Sequence, residues 1–359
     1  MKKYLYSICF SVVLAAFTLG VVLDTFVISR PMEYAQEQIN TSMFSSSSGS
    51  SKASYLSRQA DSSKTVSDPG TSDSTDTEDS ADVQPQSTDG ESAQEKTDED
   101  SQQIQAEASS GALLTDGAEL IGEYQNNEAS IKLYQYEYEN TTVYAADVVV
   151  SSSESVRTAF ANGYYGKNVT AKTSATAQQN NAILAINGDY YGARESGYVI
   201  RNGVVFRDTS DGSDLLCIFA DGTMQIINSA SQSAQSLVEQ GVWQAFCFGP
   251  ALLQDGQINV SVNDEVGKAM ASNPRTAIGM IDTCHYVFVV SDGRTSESKG
   301  LSLYQLATFM QNIGVSTAYN LDGGGSSTLY FDGEIINYPT TSGKSMKERG
   351  VSDIVYIAR

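Results

Sequence analysis

A glycine-rich segment between two apolar runs is the part of the sequence best suited to chemistry. Residues 319–330 read Tyr-Asn-Leu-Asp-Gly-Gly-Gly-Ser-Ser-Thr-Leu-Tyr, so Asp322 precedes three glycines and two serines. Gly323, Gly324 and Gly325 lack a Cβ, which lets the backbone approach a ligand closely and turn its amides toward an anion. No Gly-Lys-Ser/Thr follows the glycines, which excludes a phosphate loop of the NTPase type. A tight turn between strands is the alternative interpretation.

Three further segments place charged or polar residues where predicted strands end. These residues are Asn187 and Asp189, Arg275, and Asp292 with Arg294. Loops at strand ends are where a rigid sheet presents functional groups. Carboxylates can serve in acid, base or nucleophilic roles, and arginines bind phosphate bidentately. Each segment also has a structural interpretation, such as a plain turn at Asp292-Gly293 or a surface arginine at position 275.

The few histidines and cysteines exclude several kinds of site. His285 is the only histidine, and it lies in an apolar run typical of a strand, which favours a structural role. A Ser-His-Asp hydrolase or a histidine-rich metal site is therefore disfavoured. The four cysteines show no short Cys-x-x-Cys spacing, which makes zinc improbable. Free thiols are expected, with one disulfide left open.

The negative charge is concentrated before the main domain. The formal net charge is −21, and residues 71–110 contribute about half of it, with twelve acids against Lys96 alone. Residues 31–112 are rich in Ser, Thr, Asp and Glu, a composition that predicts a disordered acidic linker. The sequence contains no basic patch, so nucleic acid is not an expected partner.

The N-terminus predicts a membrane anchor. Lys2 and Lys3 precede an apolar run of twenty residues, Tyr4–Leu23, which is about the length of a membrane-spanning helix. We therefore expect residues 1–30 to form a single transmembrane signal anchor, with the C-terminal domain outside the cytoplasm. A cleaved signal peptide is the alternative.

The sequence predicts that residues 113–359 form one α+β domain with a strand-rich mixed sheet and a few flanking helices. The predicted helices are Thr173–Asn180, Ser233–Gln240 and Leu303–Asn312. The last is amphipathic, with Leu303, Leu306, Ala307 and Met310 on one face. Val156–Ala161 is expected to be a loop or a short helix. Clear strands are predicted at Thr142–Val150, Ala182–Ile186 and Tyr286–Val290.

Taken together, these segments resemble the phosphodiester glycosidase family from about residue 145 to the C-terminus. The segments that carry the resemblance are Asn187-Gly188-Asp189-Tyr190-Tyr191-Gly192, Asn273-Pro274-Arg275-Thr276-Ala277-Ile278-Gly279, Asp292-Gly293-Arg294 with Ser298 and Gly300, Asn320–Ser327, and Glu348-Arg349-Gly350-Val351. Many relatives have Asn-Gly-Gly-Phe-Phe where this chain has Asn187-Gly188-Asp189-Tyr190-Tyr191, so Asp189 ranks below the other acids.

The resemblance implies cleavage of the bond between a sugar's anomeric carbon and a phosphodiester oxygen, with a glycosyl phosphodiester or glycan as substrate. A carboxylate would stabilise the oxocarbenium-like transition state or activate water. The expected catalytic residues are Asp322, Asp292 and Asp189. The expected binding residues are Arg275 and Arg294 for phosphate, the amides of Gly323, Gly324 and Gly325, Asn187 and Ser326 for sugar hydroxyls, and Tyr190 or Tyr191 for stacking on the ring. No cofactor or metal is expected, because no loop has a calcium-binding spacing.

Two other functions compete with this hypothesis. Ser296-Glu297-Ser298-Lys299 contains the Ser-x-x-Lys spacing of penicillin-binding enzymes, but the accompanying Ser-Asp-Asn and Lys-Thr-Gly motifs are missing. A non-catalytic module that binds a cell-surface polysaccharide or wall polymer would use the same arginines and tyrosines. The predicted anchor and acidic tether favour an envelope polymer as the ligand in either case.

Overall fold

The computed structural model describes residues 2–35, 38–46, 113–264 and 272–359, so most of the predicted linker lies outside the described part. The first helix, α1 (Lys2–Phe26), covers the predicted membrane-spanning run. No helix among the described residues is both long enough and apolar enough to cross a membrane. The predicted transmembrane helix is therefore not supported.

Part of the segment predicted as linker is ordered against the domain. Strand β1 (Arg30–Tyr34) pairs antiparallel with β6 (Tyr164–Lys167). A short helix, α2 (Ser42–Ser46), follows, and Phe44 packs edge-on against Trp243 with ring centroids 5.0 Å apart. The ordered chain thus begins well before residue 113.

An eight-stranded antiparallel sheet forms the centre of the domain. Its strands are β2 (Glu119–Gln125), β3 (Ala129–Tyr138), β4 (Thr141–Val150), β13 (Ala251–Gln254), β14 (Gln257–Ile258), β15 (Arg275–Asp282), β16 (His285–Ser291) and β17 (Thr317–Asn320), in the spatial order β14-β13-β17-β15-β16-β4-β3-β2. Successive side chains of β16 point to opposite faces, and both faces are covered. Tyr286 and Phe288 enter one core cluster, whereas Val287 and Val289 enter another. Burial on both faces explains why the sequence of β16 is an almost continuous run of apolar residues.

Helix α5 (Leu303–Asn312) covers one face of this sheet and matches its predicted bounds. Its four predicted apolar residues are fully buried. Ser302 and Gln305 form a reciprocal capping box at its N-terminus. Gly314, at φ +91°, follows its C-terminus, where the chain must leave the helix.

A second sheet, of five strands, packs on the opposite face. Its strands are β5 (Arg157–Phe160), β7 (Ala182–Asn187), β18 (Leu329–Phe331), β19 (Glu334–Ile335) and β20 (Asp353–Ala358), in the order β19-β18-β7-β20-β5. Helix α3 (Thr173–Gln179) packs against β7 and β20. The prediction of a loop or helix at Val156–Ala161 is wrong, because β5 is a strand with alternate residues Thr158 and Phe160 buried.

A third, five-stranded sheet completes the domain. Its strands are β8 (Val199–Arg201), β9 (Val204–Arg207), β10 (Asp214–Phe219), β11 (Met224–Asn228) and β12 (Val242–Phe246), in the order β11-β10-β12-β8-β9. The predicted Asn202-Gly203 turn joins β8 to β9 with both residues at positive φ. Helix α4 (Ala234–Glu239) packs on this sheet. The predicted α+β class with few helices is confirmed, and the described strands pair antiparallel.

Candidate active site

Strand register brings several of the predicted residues to one edge of the large sheet. Arg275 opens β15 opposite Ser291, which closes β16, and Asn320 closes β17 opposite Ala277. Neighbouring antiparallel strands alternate in direction, so the end of one lies beside the start of the next. Residues 273–275, 292–294 and 320–325 are therefore neighbours in space although they are far apart in sequence.

Asn187 joins this edge to the second sheet. It closes β7 and is fully buried, and its Nδ2 donates to the Asp322 carbonyl oxygen at 2.6 Å. Its Oδ1 accepts from Thr276 Oγ1 at 2.9 Å and from the Thr328 backbone at 3.3 Å. Since its amide is engaged with protein groups on both sides, Asn187 fixes the glycine turn in place. A role in binding sugar hydroxyls, as predicted, would require breaking these bonds.

The converging loops enclose a cavity of about 160 Å³. Its described lining residues are Phe248, Asn273, Arg275, Arg294, Asn320, Asp322, Gly323, Gly324 and Arg349. Three of them are arginines and one is an aspartate, which gives the cavity a net positive charge when all four are ionised. Such a site fits an anion with one or two negative charges.

Asp322 is the carboxylate in this cavity, and its Oδ2 is held by two groups. Ser326 Oγ donates to it at 2.6 Å, and Arg349 Nη2 donates at 2.7 Å. Burial raises the pKa of Asp322, while the Arg349 charge and the two hydrogen bonds oppose that rise. Within the described residues, Oδ1 accepts no hydrogen bond. This oxygen is available to a substrate or a water molecule.

Arg349 is a site residue that the strand pattern did not indicate. It lies in an irregular segment rather than at a strand end, and its side chain is 42% exposed. The segment is anchored on both sides of it: Glu348 accepts from the Ser174 backbone and hydroxyl, and Val351 bridges to Ala171. The Glu348-Arg349-Gly350-Val351 motif was the sequence signal for this residue, but it assigned no role.

Arg294 and Arg275 approach the same cavity. Arg294 donates to Asn273 Oδ1 at 2.8 Å and to the Thr341 carbonyl at 2.8 Å, both neutral oxygens. Its pKa is lowered by burial and by the nearby positive charge of Arg349. Arg275 is almost fully buried, and its Nε donates to the Leu301 carbonyl at 2.8 Å. A bound anion would relieve the repulsion between Arg294 and Arg349.

The triple-glycine turn is required by close packing. A Cβ at Gly323 would lie 2.9 Å from the Pro274 carbonyl oxygen, and one at Gly325 would lie 2.5 Å from Thr341 Oγ1. Gly324 has φ +62°, and a Cβ there would lie 3.0 Å from Arg294 Nη2. Three glycine amides were predicted to bind an anion. The Gly324 amide instead donates to the Pro274 carbonyl at 2.8 Å, so fewer than three amides are available to a ligand.

Asn320 and Phe248 add a hydrogen-bond acceptor and an apolar surface to the cavity. Asn320 is buried; its Nδ2 donates to the Gly249 carbonyl at 2.8 Å, while its Oδ1 has no hydrogen-bond partner among the described residues. Because a buried acceptor without a partner is costly, this atom is expected to accept a hydrogen bond from a bound ligand. Phe248 supplies an apolar wall beside it.

The other two predicted catalytic carboxylates lie elsewhere. Asp292 is buried, and its Oδ1 accepts from the Tyr338 backbone at 2.7 Å and from Asn337 Nδ2 at 3.3 Å. Burial raises the pKa of Asp292, and these hydrogen bonds oppose the rise. In the structure Asp292 holds the segment at 337–338, and it is not among the residues that line the cavity.

Asp189 belongs to a buried charge cluster beneath the site. Its Oδ2 lies 3.0 Å from Arg201 Nη2 and accepts from the Cys247 backbone, while Arg201 Nε donates to Asp353 at 2.8 Å. Two carboxylates thus share one guanidinium. Burial, together with the negative charges of Asp189 and Asp322, raises the pKa of Asp353 to about 7, and the charge and hydrogen bond of Arg201 oppose that rise. A Cβ at Gly188 would lie 2.3 Å from Asp353 Oδ1, so the cluster supports the backbone next to Asn187.

The predicted stacking tyrosines are also outside the cavity. Tyr190 is 44% exposed, whereas Tyr191 is buried and stacks on Tyr165 with ring centroids 5.4 Å apart. Ser296 and Lys299 are exposed on their loop and do not line the cavity. His285 pairs with Asp147 at the far end of β16, consistent with a structural role. All four cysteines are free.

The described side chains were compared with the groupings that bind metal ions. Among the described residues, no three His, Cys, Asp or Glu side chains are grouped in a way that could hold a metal ion. Beside the glycine turn, Asp322 Oδ2 and Ser326 Oγ both accept hydrogen bonds from Arg349.

Comparisons with known proteins identify the family of this domain. The sequence profile of the phosphodiester glycosidase family matches residues 180–358, a range that contains every residue lining the cavity. The SPbeta prophage-derived uncharacterized protein YomE of Bacillus subtilis is 28% identical over 184 residues, which is 49% of this chain and 28% of that protein. N-acetylglucosamine-1-phosphodiester alpha-N-acetylglucosaminidase is 41% identical in Homo sapiens and 39% in Mus musculus, each over 66 residues.

The fold also has a counterpart of known structure. The catalytic domain of the zebrafish N-acetylglucosamine-1-phosphodiester alpha-N-acetylglucosaminidase superposes with a TM-score of 0.51 at 21% identity, covering 67% of this chain and 87% of that one. The curated relatives are longer: this chain spans 28% of the Bacillus protein and 13% of the mouse and human enzymes. Through residues 180–358, the chain belongs to the phosphodiester glycosidase family.

Proposed function

We propose that this domain hydrolyses the bond between a sugar's anomeric carbon and a phosphodiester oxygen. The observation that carries the proposal is the convergence of Arg275, Arg294 and Arg349 with the Asp322 carboxylate around one small cavity. The family match and the enzymes named among the relatives support the same reaction class. Water adds to the anomeric carbon, the carbon–oxygen bond breaks, and its electron pair stays on the phosphate oxygen. The products are the free sugar and a phosphomonoester.

The arginines and the carboxylate have different roles in the proposed reaction. The arginines neutralise the phosphate as negative charge develops on the leaving oxygen. Asp322, through Oδ1, stabilises the positive charge on the anomeric carbon or takes a proton from the attacking water. Asn320 Oδ1 accepts a hydrogen bond from a sugar hydroxyl, and Phe248 packs against the ring. A phosphomonoester is a good leaving group, so this reaction needs little help from a second, acidic carboxyl.

A panel of diesters tests the proposal directly. Purified protein is incubated with the methyl diesters of glucose 1-phosphate, galactose 1-phosphate and N-acetylglucosamine 1-phosphate, and free sugar and methyl phosphate are measured. Asp322→Asn and Arg275→Ala should each abolish turnover; circular dichroism confirms that each variant is folded. Full activity in either variant would remove that residue from the mechanism.

A non-catalytic polysaccharide-binding module is the second candidate. It is favoured by the fact that Asp322 is the only carboxylate among the described residues that line the cavity. A module of this kind would bind the diesters without releasing sugar, so the same panel separates the two functions. Calorimetric binding with no product after prolonged incubation would select the module.

We also propose that the protein acts outside the cytoplasm on an envelope polymer. The support is the sequence at the N-terminus, where two lysines precede an apolar run, as in export signals. Cell fractionation with an antibody against residues 113–359 tests this part alone. Recovery of the protein in the cytoplasmic fraction only would contradict it without affecting the proposed reaction.

A further inference from the structure

The described residues on both sides of the acidic segment belong to the same compact unit. Before that segment, residues 30–35 and 38–46 run along the domain; we call these residues the strap. The strap contains β1 and α2. None of its described residues lines the candidate active-site cavity, so the strap does not act by covering that cavity.

At its N-terminal end the strap adds a strand to the domain and covers part of its core. β1 pairs antiparallel with β6, and Tyr34 lies opposite Tyr164 with ring centroids 5.1 Å apart. Ala35, the next residue, donates its backbone N–H to the Gly163 carbonyl at 2.9 Å. Its side chain is buried in a core cluster that includes Tyr191. This end of the strap is therefore held by both backbone pairing and apolar burial.

At its other end the strap contacts the third sheet. Asn40 donates from its backbone to the Asn202 carbonyl at 2.9 Å and from its side chain to the Gly203 carbonyl at 3.3 Å. Phe44 then packs on Trp243, which is the only tryptophan of the chain and is fully buried. The strap thus joins β6 to the turn between β8 and β9 and to β12.

The domain has glycines where the backbone of the strap approaches most closely. A Cβ at Gly166 would lie 2.3 Å from the Arg30 carbonyl oxygen, and one at Gly203 would lie 2.8 Å from the Asn40 carbonyl oxygen. Gly203 is also required by its turn, where φ is +73°, whereas Gly166 is not at positive φ. The glycine at position 166 is therefore explained by the strap, because any side chain there would meet its backbone.

The same region contacts the end of the first helix. α1 ends at Phe26 and β1 begins at Arg30, so the two elements are close in sequence. Asn168, which follows β6, donates its Nδ2 to the Thr25 carbonyl at 3.0 Å and to the Ile28 carbonyl at 3.2 Å. The contact between α1 and the domain does not pass through the acidic segment.

We propose that the strap docks on the domain as one unit and holds α1 beside it independently of the acidic segment. The acidic segment, predicted to be a tether, is then an insertion that leaves one folded unit and returns to it. A cut in the acidic segment would not separate α1 from the domain, and the length of the segment would not set the distance between them.

A cut within the acidic segment tests this in the full chain. A site for a sequence-specific protease is introduced within residues 71–110, the protein is cleaved, and its C-terminal part is captured through a C-terminal tag. We expect the N-terminal fragment to be retained. Ala35→Asp should release it, because a carboxylate would be buried among aromatic rings. Met32→Asp is the matched control, since Met32 lies on β1 but is 63% exposed, and it should leave retention unchanged.

The fluorescence of Trp243 gives a second readout in the uncut chain. Loss of Phe44 from its ring should shift the emission to longer wavelength and increase quenching by acrylamide. Ala35→Asp should have this effect even though the core cluster of Ala35 does not contain Trp243, because the strap docks as one unit. Met32→Asp should not change the emission.

Circular dichroism shows whether each variant is folded. If Ala35→Asp does not fold, Gly166→Ala replaces it, since its Cβ would meet the strap from the side of the domain. Release of the N-terminal fragment from the cut, otherwise unmodified protein would overturn the proposal. A folded strap variant that keeps the fragment, or that leaves the emission of Trp243 unchanged, would also overturn it.

Discussion

Replacing Arg349 separates two roles that the structure gives this residue. Its guanidinium orients Asp322 through the bond from Nη2 to Oδ2 at 2.7 Å, and it holds Ser326 through Nε at 2.8 Å. It also lies close enough to Arg294 for the two charges to interact. Arg349→Ala would remove both the orientation of the carboxylate and one positive charge facing the phosphate.

The expected loss of activity follows from these contacts. A hydrogen bond to a charged group contributes about 1.5–3 kcal/mol, and two such bonds are lost. Because the side chain is 42% exposed, solvent screening reduces their sum, and we take about 2–3 kcal/mol in total. At 1.36 kcal/mol per factor of ten, this predicts a fall in kcat/KM of about 30- to 150-fold. Arg349→Lys should recover part of it, since the charge remains but the fork geometry does not.

The pH profile distinguishes orientation from simple charge. Burial raises the pKa of Asp322, and Arg349 opposes the rise, so removing Arg349 raises that pKa further. Activity that needs the ionised carboxylate is lost as pH falls through this pKa. The acid limb of the kcat/KM profile should therefore move to higher pH in Arg349→Ala. Arg359→Ala is the control, because Arg359 is also 42% exposed and pairs with an aspartate, Asp332, outside the cavity. An unchanged rate and acid limb in Arg349→Ala would refute the reasoning.

Two further predictions concern the supports of the site. Gly324→Ala should lower the free energy of unfolding by about 1–2 kcal/mol, because Gly324 has a left-handed backbone conformation. Gly256→Ala should cost the same, because Gly256 has φ +73° and open space around it. Only Gly324→Ala should also raise KM for the diester, because its Cβ would press on Arg294; equal KM values in both variants would contradict this. Asp353 has a folded-state pKa of about 7 against an ordinary value of 3.8, so between these pH values the folded state holds a proton that the unfolded state has lost. The free energy of unfolding should then fall as pH rises from about 4 to 7, and Asp353→Asn should flatten that fall in urea titrations at pH 4.5 and 7.5. A pH dependence unchanged in Asp353→Asn would exclude the raised pKa.

The sequence predicted best those elements whose periodicity reflects burial. Helix α5 matches its predicted bounds because its apolar residues repeat on one face and Ser302 and Gly314 mark its ends. Strand β16 was found because both of its faces are buried. Strand β5 was missed because it is only four residues long and begins with a charged residue, Arg157. Its pairing with β20, almost two hundred residues later, has no local signal.

Some of the residues of the candidate site could be predicted from the sequence, because they lie at the ends of strands. Strand ends indicated Asp322, Arg275 and Arg294, and the register of the sheet brings them together. The local sequence does not indicate which acid lines the cavity, because that depends on how loops distant in the chain pack together. The Asp292 carboxylate accepts from the Tyr338 backbone and Asp189 pairs with Arg201, and both are contacts between residues that are distant in sequence.

A cavity whose described lining residues include three arginines and one carboxylate is consistent with catalysis by charge stabilisation. In the proposed reaction, the diester carries one negative charge, and the departing phosphomonoester gains a second as the carbon–oxygen bond breaks. Arginines that face this oxygen therefore stabilise the transition state more than the bound substrate, which is the condition for raising the rate. The same arginines would also bind the doubly charged product more tightly than the substrate. In the proposed reaction, solvent that reaches the exposed guanidinium of Arg349 would weaken its ion pair with the product and so favour product release. A fully buried third arginine would bind more tightly but would slow product release.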